Sequence, residues 1–303
     1  MKRTVFILII LWILLAASIG CGKTAPEAAA TPAPAEEPDV IDVIVAQETE
    51  AATPIATPAP TDTPAPTDTP APTDTPSPTP TPKPLEGLVI GIDPGHQRVY
   101  DPNPEPVAPG SSKTKQKVAG GCRGVKSGVY EYEVNLNVGL YLRDLLEEQG
   151  ATVVMTHDTL DVNISNIERA QLFNEQNVDL AIRLHCNKAG DKKTRGAFML
   201  IPGEKRTDFY DFNKRAAETV LRAYLEETGL PMRYKTGITE RSDQTGFNWC
   251  KRPIINIEMG HLSCPEEDAL LSTDAFQQKM AKGLCSGITA FFAAEREAAP
   301  EQP

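Results

Sequence analysis

The chain has 303 residues, with 27 prolines, 6 cysteines, 4 histidines and a formal charge of −11 at pH 7. The charge is uneven: residues 22–82 carry ten acids against one base, whereas residues 83–303 carry 27 bases and 31 acids. A carboxy-terminal part so nearly balanced has no basic face of the kind that tracks a phosphate backbone, so no nucleic-acid partner is expected.

Residues 1–20 follow Lys2 and Arg3 with an apolar run from Val5 to Ala17 and then small residues, the pattern of a secretory signal. Because "ASIGC" ends on Cys21, the segment resembles a bacterial lipoprotein signal, which implies a lipidated Cys21 that anchors the chain to a membrane. Ser18 stands where such signals usually carry leucine. A plain amino-terminal transmembrane anchor is the alternative reading. Both place the remainder outside the cytoplasm.

Residues 21–84 are Pro, Thr, Ala and acid, with the tandem hexads "TPAPTDTPAPTDTPAPTD". Such a composition cannot bury a core, so a disordered tether is expected. Its prolines favour an extended backbone, and residues 53–84 alone would span on the order of 100 Å.

Residues 85–297 have the length of one α/β catalytic domain, followed by a short tail, 298–303. "LVIGIDPGHQ" predicts a buried strand running abruptly into His96. A Gly-, Ser- and Lys-rich stretch, 100–128, is long for a plain connection and reads as a substrate-contacting loop or lid, or as a tolerated insertion. Val134, Val138, Leu142, Leu145 and Leu146 recur at helical spacing up to Gly150.

"ATVVMTH" reads as the next strand, and "SNIERAQLFNEQ" opens with Ser165 and Glu168 three apart, a capping box. "VDLAIRLHCN" and "GAFMLIP" are strand-like, and a helix is expected from about 208 to 227, ending at Gly229 and Pro231. "RPIINIEMGH" is a further strand. The last helix places Phe276, Met280, Leu284, Ile288 and Phe292 on one face. Alternating strands and helices predict a mostly parallel or mixed sheet with helices on both faces.

In open α/β sheets, ligands bind beyond the carboxyl ends of the strands. His96, His185 and Glu258 each follow a strand candidate, and Glu131 opens the first helix. Two neutral imidazoles and one carboxylate make a catalytic zinc set with a fourth position left for water, and the second glutamate is then free to act as a base.

The stretches "IGIDPGHQ", "GVYEYEVNLNVGLYLRDLLEEQGATVVMTHDTLD", "IERAQLFNEQNVDLAIRLHCN" and "RPIINIEMGHLSCPEED" together resemble the successive motifs of the zinc-dependent N-acetylmuramoyl-L-alanine amidases, bacterial cell-wall hydrolases of the type 3 amidase family. The resemblance implies a twisted, six-stranded α/β fold and one Zn2+ ion. It implies His96, Glu131 and His185 as metal ligands, Glu258 as the catalytic glutamate, peptidoglycan as substrate, and a membrane-anchored, wall-facing monomer. His157, His261 and Cys264 depart from the family's usual residues and read as polar loop positions. Glu133, two residues from Glu131, would point to a different side of the helix.

Two other readings remain open on the residues alone. A glycosidase would use Glu131 and Glu258 as its carboxylate pair, and a wall-binding lipoprotein would use the scaffold without turnover. Beyond Cys21 there are five cysteines, an odd number outside the cytoplasm, and no C-x-x-C suggests a structural metal site.

Overall fold

The structure is a computed structural model, and it describes residues 82–299. The signal segment, Cys21, nearly all of the tether and residues 300–303 lie outside the described residues. Among the described residues, no helix is long and apolar enough to cross a membrane.

Strand β1 (Val89–Pro94) is followed by a hairpin, β2 (Asp101–Pro106) and β3 (Thr114–Val118). Helix α1 (Glu131–Glu148), β4 (Thr152–Met155), α2 (Asn166–Glu175), β5 (Leu180–Asn187) and β6 (Phe198–Pro202) come next. The chain then forms α3 (Tyr210–Thr228), β7 (Ile238–Arg241), α4 (Thr245–Trp249), β8 (Ile254–His261), α5 (Pro265–Leu271) and α6 (Asp274–Ala298). Six strands form one mixed sheet in the order β4-β1-β5-β8-β6-β7, in which only β6 and β8 pair antiparallel. This is the expected six-stranded α/β architecture.

Side chains alternate across the sheet and so divide the core in two. One cluster joins Ile90, Ile92, Ile182, Leu184, Ile255 and Ile257 to the buried stripe of α1 and to α3 and α6. Of the expected stripe, Val134, Val138, Leu142 and Leu146 are fully buried, whereas Leu145 is only partly buried against the same cluster. The smaller opposite cluster packs Ala181, Ile254, Phe198 and Leu200 under Phe173 of α2 and Phe247 of α4.

Local signals behave as the sequence predicts at several ends. Ser165 and Glu168 form a reciprocal capping box at α2. Gly229 takes the left-handed conformation that closes α3.

Several readings are corrected by the strands' true extents. His185 and Glu258 lie within β5 and β8, not after them, because pairing continues to Asn187 and His261 beyond a register shift that follows His185. Of the three positions read as polar loop residues, His157 and Cys264 do lie in connecting segments and His261 lies in β8, and all three are buried, His157 at 6%, Cys264 at 1% and His261 at 0% exposed. His261 ends β8, Cys264 caps α5, and His157 is covered by Arg169, whose Nη1 lies 3.4 Å from its ring nitrogen.

Candidate metal centre and active site

The site begins with a buried acid. Asp93, at the end of β1, accepts from Arg169 Nη1 at 2.5 Å, Arg183 Nε at 2.7 Å and Thr156 Oγ1 at 2.9 Å. Burial pushes the Asp93 pKa up, but the two guanidinium groups outweigh it and hold the carboxyl well below its ordinary range. Arg169 also donates to the Pro94 carbonyl and to Gln97 Oε1, which fixes the turn after β1. Within that turn His96 adopts φ 65, a left-handed conformation that costs a non-glycine residue about 1–2 kcal/mol and needs such support.

Glu131 is the first residue of α1 and is 3% exposed. Its Oε2 accepts from the Cys122 N–H at 2.8 Å, and its Oε1 accepts from the Cys186 N–H at 3.1 Å. The same Oε1 lies 3.2 Å from His96 Nε2 and 3.2 Å from His185 Nδ1. Its place in the first turn of α1 also suits a negative charge to the helix dipole. Burial raises the Glu131 pKa, but the two histidines outweigh burial and hold it well below the usual carboxylate range.

The two rings stand nearly perpendicular, with centroids 4.9 Å apart. His96 Nδ1 lies 2.8 Å from the Ala119 carbonyl. That contact makes Nδ1 the protonated nitrogen and leaves the Nε2 lone pair free. Burial depresses the His96 pKa, but Glu131 and the Ala119 carbonyl leave it above the ordinary value. Burial pushes His185 down to about 4, so its ring is neutral near pH 7.

Glu258 pairs with His185 across the β5–β8 ladder. Burial, and then the charge of Glu131, raise its pKa to about 8. His96, His185 and Glu258 line a cavity of about 390 Å3 on the side of Arg183 and Asn256. The same three groups and Glu131 line a shallower depression of about 460 Å3 on the side of Gly120, Gly121 and Lys188.

The three donor atoms of His96, Glu131 and His185 fall within 4.8 Å of one another. One carboxylate and two nitrogens with the ring tautomer of His96 already fixed fit a divalent cation such as zinc, with room for a further ligand. Glu133 lies apart from this cluster: its Oε2 accepts from the Tyr130 N–H at 2.9 Å and caps α1.

The 100–128 stretch, read from sequence as a substrate-contacting loop or lid or as a tolerated insertion, contains the β2–β3 hairpin, and Ala119 and Cys122 just beyond it border the site. Sequence reading did not pick out Asp93, Arg169 or Arg183. The available signal was an arginine at position 169, four residues before the buried Phe173 and so on the core side of α2. The five cysteines after Cys21 are all free, and Cys122 is a poor nucleophile because burial and Glu131 push its thiol pKa far up.

Residues 90–290 match the sequence model of the N-acetylmuramoyl-L-alanine amidase family. The germination-specific N-acetylmuramoyl-L-alanine amidase of Bacillus subtilis is 29% identical over 225 residues, covering 69% of this chain and 81% of that protein. An N-acetylmuramoyl-L-alanine amidase of Mycobacterium tuberculosis is 26% identical over 219 residues, covering 71% and 90%. The crystal structure of the Mycobacterium smegmatis N-acetylmuramyl-L-alanine amidase Ami1 shares the fold, with a TM-score of 0.63 at 23% identity over 69% of this chain and 99% of that one.

Proposed function

The chain belongs to the N-acetylmuramoyl-L-alanine amidase family, and from that premise we propose that it cleaves the peptidoglycan amide between the lactyl group of N-acetylmuramic acid and L-alanine with one zinc ion and a glutamate base. His96, Glu131 and His185 would hold the ion. The observation that carries this reading is the single Glu131 oxygen approached at 3.2 Å by both imidazoles. A divalent ion held there supplies Lewis-acid chemistry, lowering the pKa of water to about 7 and polarising a carbonyl.

Glu258 takes the proton of the attacking water. Its carboxyl, at about 8 in the ion-free chain, titrates lower with a cation beside it, which brings it to the range where a group both accepts and returns a proton near neutrality. It then protonates the leaving amine, which departs poorly without that proton. The Ala119 carbonyl and the Cys122 and Cys186 N–H groups hold His96 and Glu131 in place throughout. A glycosidase would need Glu131 as a free carboxylate, whereas both of its oxygens are engaged.

The amino-terminal segments complete the proposal. A lipid on Cys21 and the proline-rich tether would let a membrane-anchored catalyst reach into the wall. The test is digestion of purified peptidoglycan with and without a zinc chelator, followed by identification of the new ends. New L-alanine amino termini that disappear with chelator support the reading; new reducing sugar ends, or release that ignores the chelator, contradict it.

A further inference from the structure

The sheet face under α2 and α4 changes from apolar to polar as it approaches the histidines. Along β5 the residues on that face run Ala181, Arg183, His185, and along β8 they run Ile254, Asn256, Glu258. The parallel register sets Arg183 beside Asn256 just as it sets His185 beside Glu258. Arg183 and Asn256 are 6% and 1% exposed, yet both line the 390 Å3 cavity that His96, His185 and Glu258 share.

Neither side chain is used up by the fold. Arg183 commits Nε to Asp93 and Nη2 to Asn166 Oδ1, while its Nη1 has no hydrogen-bond partner among the described residues. Asn256 Nδ2 lies 3.4 Å from Glu258 Oε1, and Asn256 Oδ1 is buried without a partner. A buried acceptor left unpaired costs free energy unless something outside the fold satisfies it. A free donor and a free acceptor thus stand side by side.

The charge around them is positive. Asp93 is shared by two arginines, which leaves one cation in excess. Lys115 of β3 lines the same cavity and binds Asp243, which Arg241 also binds, and this leaves a second. Glu258 is the one acid among the residues that line the cavity.

We propose that this cavity is the subsite for the leaving peptide and that it selects a free carboxylate, which Arg183 Nη1 takes while Asn256 Oδ1 accepts the peptide N–H borne by the same carbon. The inference rests on the amidase reading. In a muramyl peptide the lactyl carboxyl is consumed in the scissile amide and the sugar is uncharged. The free anion closest to the bond therefore belongs to the second stem residue, whose N–H and α-carboxylate share one carbon. Glu258, which would protonate the leaving amine, borders both depressions, but Arg183 and Asn256 line only this one, with Asn256 two residues from Glu258 on the same strand, and that assigns the amine side here. Lys115, which lines the same cavity, supplies the second cation.

The test compares hydrolysis by the full chain of N-acetylmuramoyl-L-alanyl-D-isoglutamate and its D-isoglutamine counterpart, in which the carboxylate is an amide. Calorimetric binding of the two free dipeptides runs in parallel. The carboxylate substrate should show at least a tenfold higher kcat/KM, expressed in KM, and its dipeptide should bind at least tenfold more tightly. Arg183→Lys keeps a cation for Asp93 but loses the planar fork, and it should collapse both preferences. Asn256→Val and Lys115→Gln should each narrow them several-fold, and they carry the test if the arginine variant fails to fold. Equal kcat/KM for the two substrates, with equal dipeptide binding, would overturn the subsite and leave the amidase reading standing. Absence of hydrolysis with preferential binding of the carboxylate dipeptide would overturn the amidase reading and leave the anion pocket standing.

Discussion

Gly95→Ala isolates the geometry of the His96, Glu131 and His185 cluster with one methyl group. A Cβ at Gly95 would lie 2.2 Å from His185 Cε1, 2.4 Å from Nε2 and 2.6 Å from Nδ1. Carbon atoms prefer about 3.5–4.0 Å, so the imidazole must move by at least about 1 Å. The β5 backbone cannot carry that movement, because it is hydrogen-bonded on both sides, to β1 and β8. The ring must therefore turn, and turning pulls Nδ1 away from the Glu131 oxygen 3.2 Å distant. A 1 Å misplacement costs about a hundredfold in rate, and a comparable loss of zinc affinity is expected. Stability should change less: overpacking costs about 1–3 kcal/mol, and the stiffer unfolded chain returns about 0.4–1 kcal/mol. Gly190→Ala is the control, since its Cβ would meet nothing within 4 Å and Gly190 lines neither depression. Zinc titration, steady-state kinetics and thermal unfolding of the two variants make the assay. Wild-type zinc affinity in Gly95→Ala would refute the placement of His185 against this turn.

Glu131→Ala should lower zinc affinity at least tenfold, the scale seen even for lost outer-shell support. Glu133→Ala should leave zinc binding unchanged and cost about 0.5–2 kcal/mol through its lost contact with the Tyr130 N–H; metal titration and denaturant melts separate the two. Glu258→Gln should keep zinc and lose turnover. It should also change the pH response of the metal-stripped chain: between about 4.5 and 8 the folded chain holds a proton on Glu258 that the unfolded chain has released, so stability falls as pH rises through that window. Melting temperatures that show the same slope in wild type and Glu258→Gln would contradict the raised pKa. Cys21→Ser, proposed to remove the lipid, should move the chain out of the membrane fraction on cell fractionation with the domain still active; unchanged retention would favour the transmembrane anchor.

Much of the fold was legible because one periodicity dominated each element. The α1 stripe, the Ser165 and Glu168 cap and the apolar runs of β1, β5 and β8 are local patterns, and local patterns survive into the structure. The hairpin was not legible. "DPNPEP" carries three prolines that cannot donate to a ladder, and it forms a strand only because its single pairing partner is β3. Strand β7 has four residues and α4 five, too few for a period to show.

The ligand candidates could be named from sequence, whereas their support could not. The contacts of Ala119, Cys122 and Cys186 are backbone groups, which leave no mark on residue type. The register that puts Arg183 beside Asn256 joins residues 73 positions apart and is a property of two strands together. Buried histidines misled for a related reason: His261 is polar by type but closes a core strand, so its burial follows from the pairing of β8 with β5 and not from its own character.

The central claim is that His96, Glu131 and His185 hold one catalytic zinc ion. Anomalous diffraction at the zinc edge from crystals grown with the metal tests it most directly. The account predicts one strong peak at about 2.0–2.2 Å from His96 Nε2, His185 Nδ1 and a Glu131 carboxylate oxygen. A peak bound by other residues, or none at this cluster in crystals of active enzyme, would contradict it.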